Sequence, residues 1–172
     1  MACSSLQQAI GERPAPVSVN GVAIPRDAIA REAQHHPAPK PIAAWQAAAR
    51  ALVIRELLLQ EAGRLGIAPE PAADAQGRRE TDDEAMMRAL VEREVKVPVA
   101  DIESCRRYYD NNRARFRASD GTVQAFELVS AHIAHYLHTR ASRTALAQYV
   151  ARLLAVADIS GIAMDAERHR VN

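Results

Sequence analysis

Residues 101–116 read DIESCRRYYDNNRARF and run on into Arg117–Thr122, RASDGT. Asp101 stands where a helix cap belongs, its carboxylate able to accept from a backbone N–H of the first turn. Ile102, Cys105 and Tyr109 fall at i, i+3 and i+7, which puts them on one apolar face. Asn111 and Asn112 suit the end. The spacing predicts a short amphipathic helix with a firm stop.

Composition fits a chain organised around such helices. At 172 residues, with 48% hydrophobic and 25% charged side chains, the sequence is globular rather than disordered, and long enough for a sizeable core. Alanine is abundant, only 4% of residues are aromatic, and β-branched residues come in short clusters, so close-packed helices are favoured over sheets. An all-α class is the expectation. A formal charge of +1 provides no field for steering polyanions, which argues against nucleic acid as a partner. Cys3 and Cys105 make neither a disulfide framework nor a metal site. Residues 1–16 read as a leader without the basic and apolar regions of an export signal, and no run approaches the ~20 apolar residues of a membrane helix. A cytoplasmic location is expected, or a periplasmic one if the chain is a trimmed mature form, with no membrane partner.

Taken in order, Val17–Ile24 (VSVNGVAI) places Asn20-Gly21 between two β-prone runs, the strongest local signal for a two-residue hairpin. So short a hairpin needs another element to lie on, and Ala157–Ala163 (ADISGIA) offers a third strand. Pro25–His35 reads as a first helix with Ile29 and Ala33 inward, and the proline-rich residues 35–41 as a stiff connector. A long helix follows from Ile42 to about Gly66. Its apolar side is Ala44, Ala48, Ala51, Leu52, Leu58, Leu59, Ala62 and Leu65, with Val53 and Leu57 left near the polar side and Gly66 closing it. Pro69–Arg79 is a loop, expected to be mobile. Thr81 and Glu84 form a capping box that opens a helix carrying Met86, Met87, Leu90 and Val91 inward. From Val123 to about Ala157 a final helical region bears two stripes out of phase: Phe126, Val129, Ile133, Leu137, then Leu146, Val150, Leu153, Ala157. Such a helix changes partners or bends.

Candidate chemistry is sparse. His132, His135 and His138 recur every third residue and wind round a helix, with no Cys or carboxylate at ligand spacing, so no metal site is assigned. The arginines at 106, 107, 113, 115 and 117, interleaved with Tyr108, Tyr109 and Phe116, are the kind of surface that can stack bases, but Asp101, Glu103 and Asp110 dilute it. No phosphate loop, dinucleotide glycine pattern or nucleophile elbow is present, and no cofactor is expected.

The order of these pieces carries a resemblance. An Asn-Gly hairpin, a first helix, the Leu-rich helix ending LLLQEAGRLGI, and the Tyr-Tyr-Asp-Asn-Asn element followed by Phe116 are together similar to the N-terminal helical chaperone domain of SurA-like and PpiC-type (parvulin family) peptidyl-prolyl isomerases. Residues 123–163 resemble the segment that returns after the parvulin domain to complete the same helical domain. The resemblance implies a domain plan of 17–117 and 123–163, with a tail at 164–172. Residues 118–122 stand at the junction where a catalytic domain of roughly 100 residues would sit. An excised catalytic domain is the expectation, Gly121-Thr122 suiting a cloning junction, and a natural isomerase-less relative the alternative. Ser130-Ala-His132-Ile mimics the opening of a parvulin domain, yet falls mid-helix and is not assigned a catalytic role. The implied function is a chaperone that holds unfolded or proline-containing polypeptides on apolar helical surfaces without isomerase activity. Trp45, Leu57, Met86, Met87 and Phe116 are the candidate peptide contacts. A helical adaptor for one partner protein is the alternative, and the short junction invites a homodimer by exchange of the C-terminal helix.

Overall fold

The computed structural model describes residues 15–164; the leader up to residue 14, Cys3 included, and the tail from residue 165 lie outside the described residues. In chain order the elements are β1 (Val17–Val19), β2 (Val22–Ile24), α1 (Arg26–Glu32) with a 3-10 turn at Ala33–His35, α2 (Pro41–Arg64), α3 (Asp82–Glu94), α4 (Ile102–Asn111) with a 3-10 turn at Arg113–Phe116, α5 (Phe126–Val156) and β3 (Ile159–Ser160). The fold is mainly helical, with one small antiparallel sheet of order β2-β1-β3. Two compact units share the chain: residues 15–66 with 152–164, and residues 67–151. The boundaries between these units fall after Gly66 and after Ala151.

In the first unit, Asn20 and Gly21 take φ of 49° and 83°, the left-handed pair that a two-residue hairpin turn demands. Asn20 does more than turn the chain. Its N–H donates to the Asp158 carbonyl at 2.7 Å, its side-chain oxygen accepts from the Asp158 N–H at 2.8 Å, and its side-chain nitrogen donates to Gln60 of α2 at 2.8 Å. Those bonds lead into the pairing of β3 with β1, in which Ser18 faces Ser160 and Val19 faces Ile159. The Ala157–Ala163 stretch thus supplies the third strand that the hairpin needs. Directly after it, Gly161 sits at φ 77° so close to the Pro16 carbonyl that a Cβ would come within 2.0 Å of its oxygen.

Behind the sheet, Val17, Val19, Ile24 and Ile29 bury against Ala48, Ala49, Val53 and Leu57 of α2. Ala48 and Ala49 have no exposed surface, and side chains this small let α2 lie close to its neighbours. Here the expected face of α2 needs correction: Val53 and Leu57, assigned near the polar side, are among the most buried residues of the helix. Apolar residues run round much of the helix, so its own periodicity is weak and the packing against β1, β2 and α1 decides the side. Gly66 (φ 67°) closes α2, its N–H on the Gly63 carbonyl at 3.0 Å.

The second unit opens with the loop expected from composition, and this loop carries internal hydrogen bonds. Asp74 accepts from the N–H groups of Gln76 and Arg78, Ala73 bridges Arg79, and Gly77 takes φ 78°. Glu80 then receives the Arg88 guanidinium on both oxygens at 2.9 and 3.2 Å, while another Arg88 N–H reaches the Glu70 carbonyl. An Asx turn and two ion pairs, Arg78 with Asp74 and Arg88 with Glu80, brace this loop. The capping box forms: the Glu84 N–H donates to Thr81 Oγ1 at 3.2 Å and Thr81 N–H to the Glu84 carboxylate at 2.7 Å. Of the α3 residues expected inward, Leu90 is fully buried alongside Ala85, whereas Met86, Met87 and Val91 are half-buried.

Helix α4 begins as read, Asp101 accepting from the Ser104 N–H at 2.7 Å. Cys105 and Tyr109 bury against Phe126, Val129 and Ile133 of α5. Ile102 does not join them and is 67% exposed. At the junction the chain makes a tight reversal: Arg117 bridges Val123, Ala118 N–H donates to the Thr122 carbonyl at 2.8 Å, and Gly121 N–H to Ala118 at 3.0 Å with φ 83°. A turn followed by a left-handed glycine is a standard three-residue hairpin closure. Beyond it α5 runs unbroken for 31 residues. Its first stripe packs on α4, while Leu154 near its end packs on the sheet core of the first unit, so it changes partners rather than breaking.

Two outcomes follow. Gly161→Ala adds a methyl both to a left-handed residue and against backbone, and is expected to lower the unfolding free energy by about 2 kcal/mol or more in denaturant titration, strain of this kind costing on the order of 1–3 kcal/mol. The Glu80 carboxyl is held below its usual range, first by the Arg88 hydrogen bond and then by the Ala72 N–H. A depressed carboxylate stabilises the fold above its unfolded pKa and loses that contribution as pH falls through the folded value. The melting temperature of Glu80→Gln is therefore expected below that of the parent at about pH 7, with the gap closing towards about pH 3.

Candidate functional site

Two surfaces of the second unit have the character of binding sites. The first is a groove of about 460 Å³ between the end of α3 and the middle of α5. Val91, Val95, Val97 and Leu146 contribute half-buried apolar surface, and the charged residues Glu92, Lys96 and Arg143, with His138, are exposed around it. An apolar floor with a charged margin suits an extended or helical segment of another polypeptide, which buries its own apolar side chains there and keeps its polar groups in water. Lys96 caps α3 by donating to the Glu92 carbonyl at 2.8 Å, which orders one side of the opening.

The second is a niche of about 190 Å³ lined by Tyr108, Arg115, Phe116, His132, Ile133 and Tyr136. Its walls are rings in mutual contact. Tyr108 meets Phe116 edge-on at 6.3 Å and Tyr136 at 5.3 Å, while Tyr109 stacks obliquely on Phe116 at 5.3 Å and meets Phe126 at 5.6 Å. Such pairs add about 0.5–1.5 kcal/mol each beyond the area they bury. Tyr109 also donates its hydroxyl to the Gln124 carbonyl at 2.6 Å, tying α4 to the segment after the junction. Arg106 lies over the Phe126 ring at 4.4 Å and Arg113 over Tyr109 at 5.6 Å.

Charges in this cluster are mostly spoken for. Arg113 pairs with Asp110 at 2.7 Å, Arg106 with Glu127 at 3.6 Å, and Arg107 leans on Ser104. Arg115 differs: its Nη1 donates to the Tyr108 hydroxyl at 2.7 Å, and among the described residues it pairs with no carboxylate. The Tyr136 hydroxyl is held below its ordinary phenol value, first by Tyr108 and then by Arg115. The guanidinium is correspondingly pushed up by the same phenols.

The five residues proposed from the sequence as peptide contacts are scattered. Trp45 is half-buried and packs on the core of the first unit, and Leu57, 5% exposed, belongs to that core. The Leu57 side chain is enclosed by its own fold. Met86 and Met87 are half-buried on α3, and neither lines the groove. Phe116 alone reaches one of the two surfaces, the niche. Tyr136 was missed, although a signal for it existed. It stands three residues beyond Ile133, so the stripe Phe126, Val129, Ile133 continues through Tyr136 as readily as through Leu137. His132, His135 and His138 are all exposed; the first borders the niche and the last the groove. No helix among the described residues is long and apolar enough to cross a membrane.

Leu57→Ala is expected to lower the unfolding free energy by about 2–5 kcal/mol, as removal of a buried leucine does, whereas Met86→Ala, from a half-buried site, costs less. Paired urea titrations of the two variants would read the difference directly.

Comparison with protein-family models, with curated proteins and with solved structures found no match to this chain.

Proposed function

We propose that this chain holds unfolded or proline-containing polypeptides on an apolar helical surface and does not isomerise them, in the manner of the helical portion of a SurA-like, parvulin-family chaperone. The observation that carries the reading is the groove of Val91, Val95, Val97 and Leu146, apolar within and charged at its margin. Its energetics suit the task. Buried apolar surface contributes ~25 cal/mol per Å², and loss of rigid-body freedom offsets at least ~4 kcal/mol of the total. What remains is weak, non-directional binding that lets clients come and go. The sharp reversal between Arg117 and Val123 supports the second half of the reading, since chain ends this close are where a whole domain can be inserted or omitted without disturbing its host.

A second reading, a helical adaptor for one partner, draws on Val99, Ile102 and Leu128, which are 84%, 67% and 78% exposed. The two readings separate in a single experiment. Light scattering of two unrelated, thermally unfolded proteins should fall in the presence of the chain, and a Leu146→Glu variant, which places a charge in the groove, should suppress less. A proline-isomerisation assay on a short peptide should give the uncatalysed rate. Absence of suppression for both clients, or turnover of the proline peptide, contradicts the proposal, and a single stoichiometric partner found in its place favours the adaptor.

A further inference from the structure

The aromatic niche is built for something other than a long apolar segment. Its volume of about 190 Å³ is the room of about six water molecules, enough for one residue-sized group. Phe116, Ile133 and the rings of Tyr108 and Tyr136 give it apolar walls, and Arg115 stands among them. Arg106, Arg107 and Arg113 each lean on a carboxylate or a hydroxyl of their own helical stretch or of α5. Arg115 instead meets the phenol of Tyr108 at 2.7 Å, which positions the guanidinium without neutralising it.

We propose that the niche between α4 and α5 binds an apolar molecule of about one residue's size that ends in a carboxylate, with Arg115 taking the carboxylate and the aromatic walls the apolar part. A planar guanidinium matches a planar carboxylate through two parallel N–H bonds, and one positive charge compensates one negative charge, which favours a carboxylate over a phosphate dianion. The phenol of Tyr136, lining the same space, adds a neutral donor. Two sources share this chemistry: the C-terminal residue of a polypeptide and a free N-acylated amino acid. The inference stands apart from the groove and from the polypeptide-holding reading, so either can fail alone.

Calorimetric titration of the full chain with N-acetyl-phenylalanine, with its carboxamide, and with a short peptide ending in free phenylalanine tests it. The acid is expected to saturate, and the amide to bind about tenfold more weakly or worse, the loss typical of a charge-assisted pair. Arg115→Met should bring the acid down to the level of the amide, and Tyr136→Phe, which keeps the ring, should weaken the acid several-fold. The second variant carries the test if the first perturbs folding, as judged by circular dichroism. A peptide that binds at least as well as the free acid identifies a polypeptide terminus as the ligand; a weaker peptide identifies the small molecule. Acid and amide binding alike, no saturation by the acid, or folded variants that bind it as the parent does would overturn the proposal.

Discussion

The antiparallel pairing of β3 with β1 is the constraint on which the first unit rests. A hairpin of two three-residue strands is marginal in water. It persists because the far end of the chain covers its open side, with Ser18 and Ser160 hydroxyls 2.7 Å apart and Asn20 bonded in turn to Asp158 and Gln60. Ile159, Ile162 and Met164 then close over the core that Val17, Val19 and α2 have begun. Segments separated by most of the chain's length are thus joined in one hydrophobic cluster, and the glycine at 161 is the residue type that lets backbone approach backbone there.

The two units use their apolar residues differently. In the first, strand, helix and returning segment converge on one cluster that includes fully buried Val19, Ile29, Ala48 and Val53. In the second, a smaller aromatic cluster joins α4 to α5, and Val91, Val95 and Val97 remain half-covered. The enclosed cluster resists truncation poorly and offers nothing outward, whereas the second unit leaves apolar surface incompletely covered. Junction residues 118–122 take no part in either, folding only on themselves through Asp120, Gly121 and Thr122.

Local chemistry was legible in the sequence, and tertiary choice was not. Asn20-Gly21, the Thr81–Glu84 box, the Asp101 cap and Gly66 each act through bonds or dihedral angles within a few residues, so the residue types alone announce them. The third strand was legible for a related reason, a lone hairpin being incomplete by itself. Which side of α2 faces inward was not, because an alanine- and leucine-rich helix can bury almost any side and the decision rests with its neighbours. Residues 69–79 look like loop by composition, yet one aspartate side chain bonded to Gln76 and Arg78 gives them a fixed turn. At the niche, the arginines and tyrosines of 106–117 were visible as a cluster, but Tyr136 comes from another helix, and only packing brings it to Tyr108.

The most direct test is whether the returning segment closes on the hairpin of its own chain. With Cys3 and Cys105 replaced by alanine, Ser18→Cys together with Ser160→Cys should oxidise to an intramolecular disulfide, since these residues face each other in the sheet. The account predicts a monomeric cross-linked species, with faster migration on non-reducing gels. No cross-link would contradict the pairing of β1 with β3, and a cross-link found only between two chains would contradict closure within one.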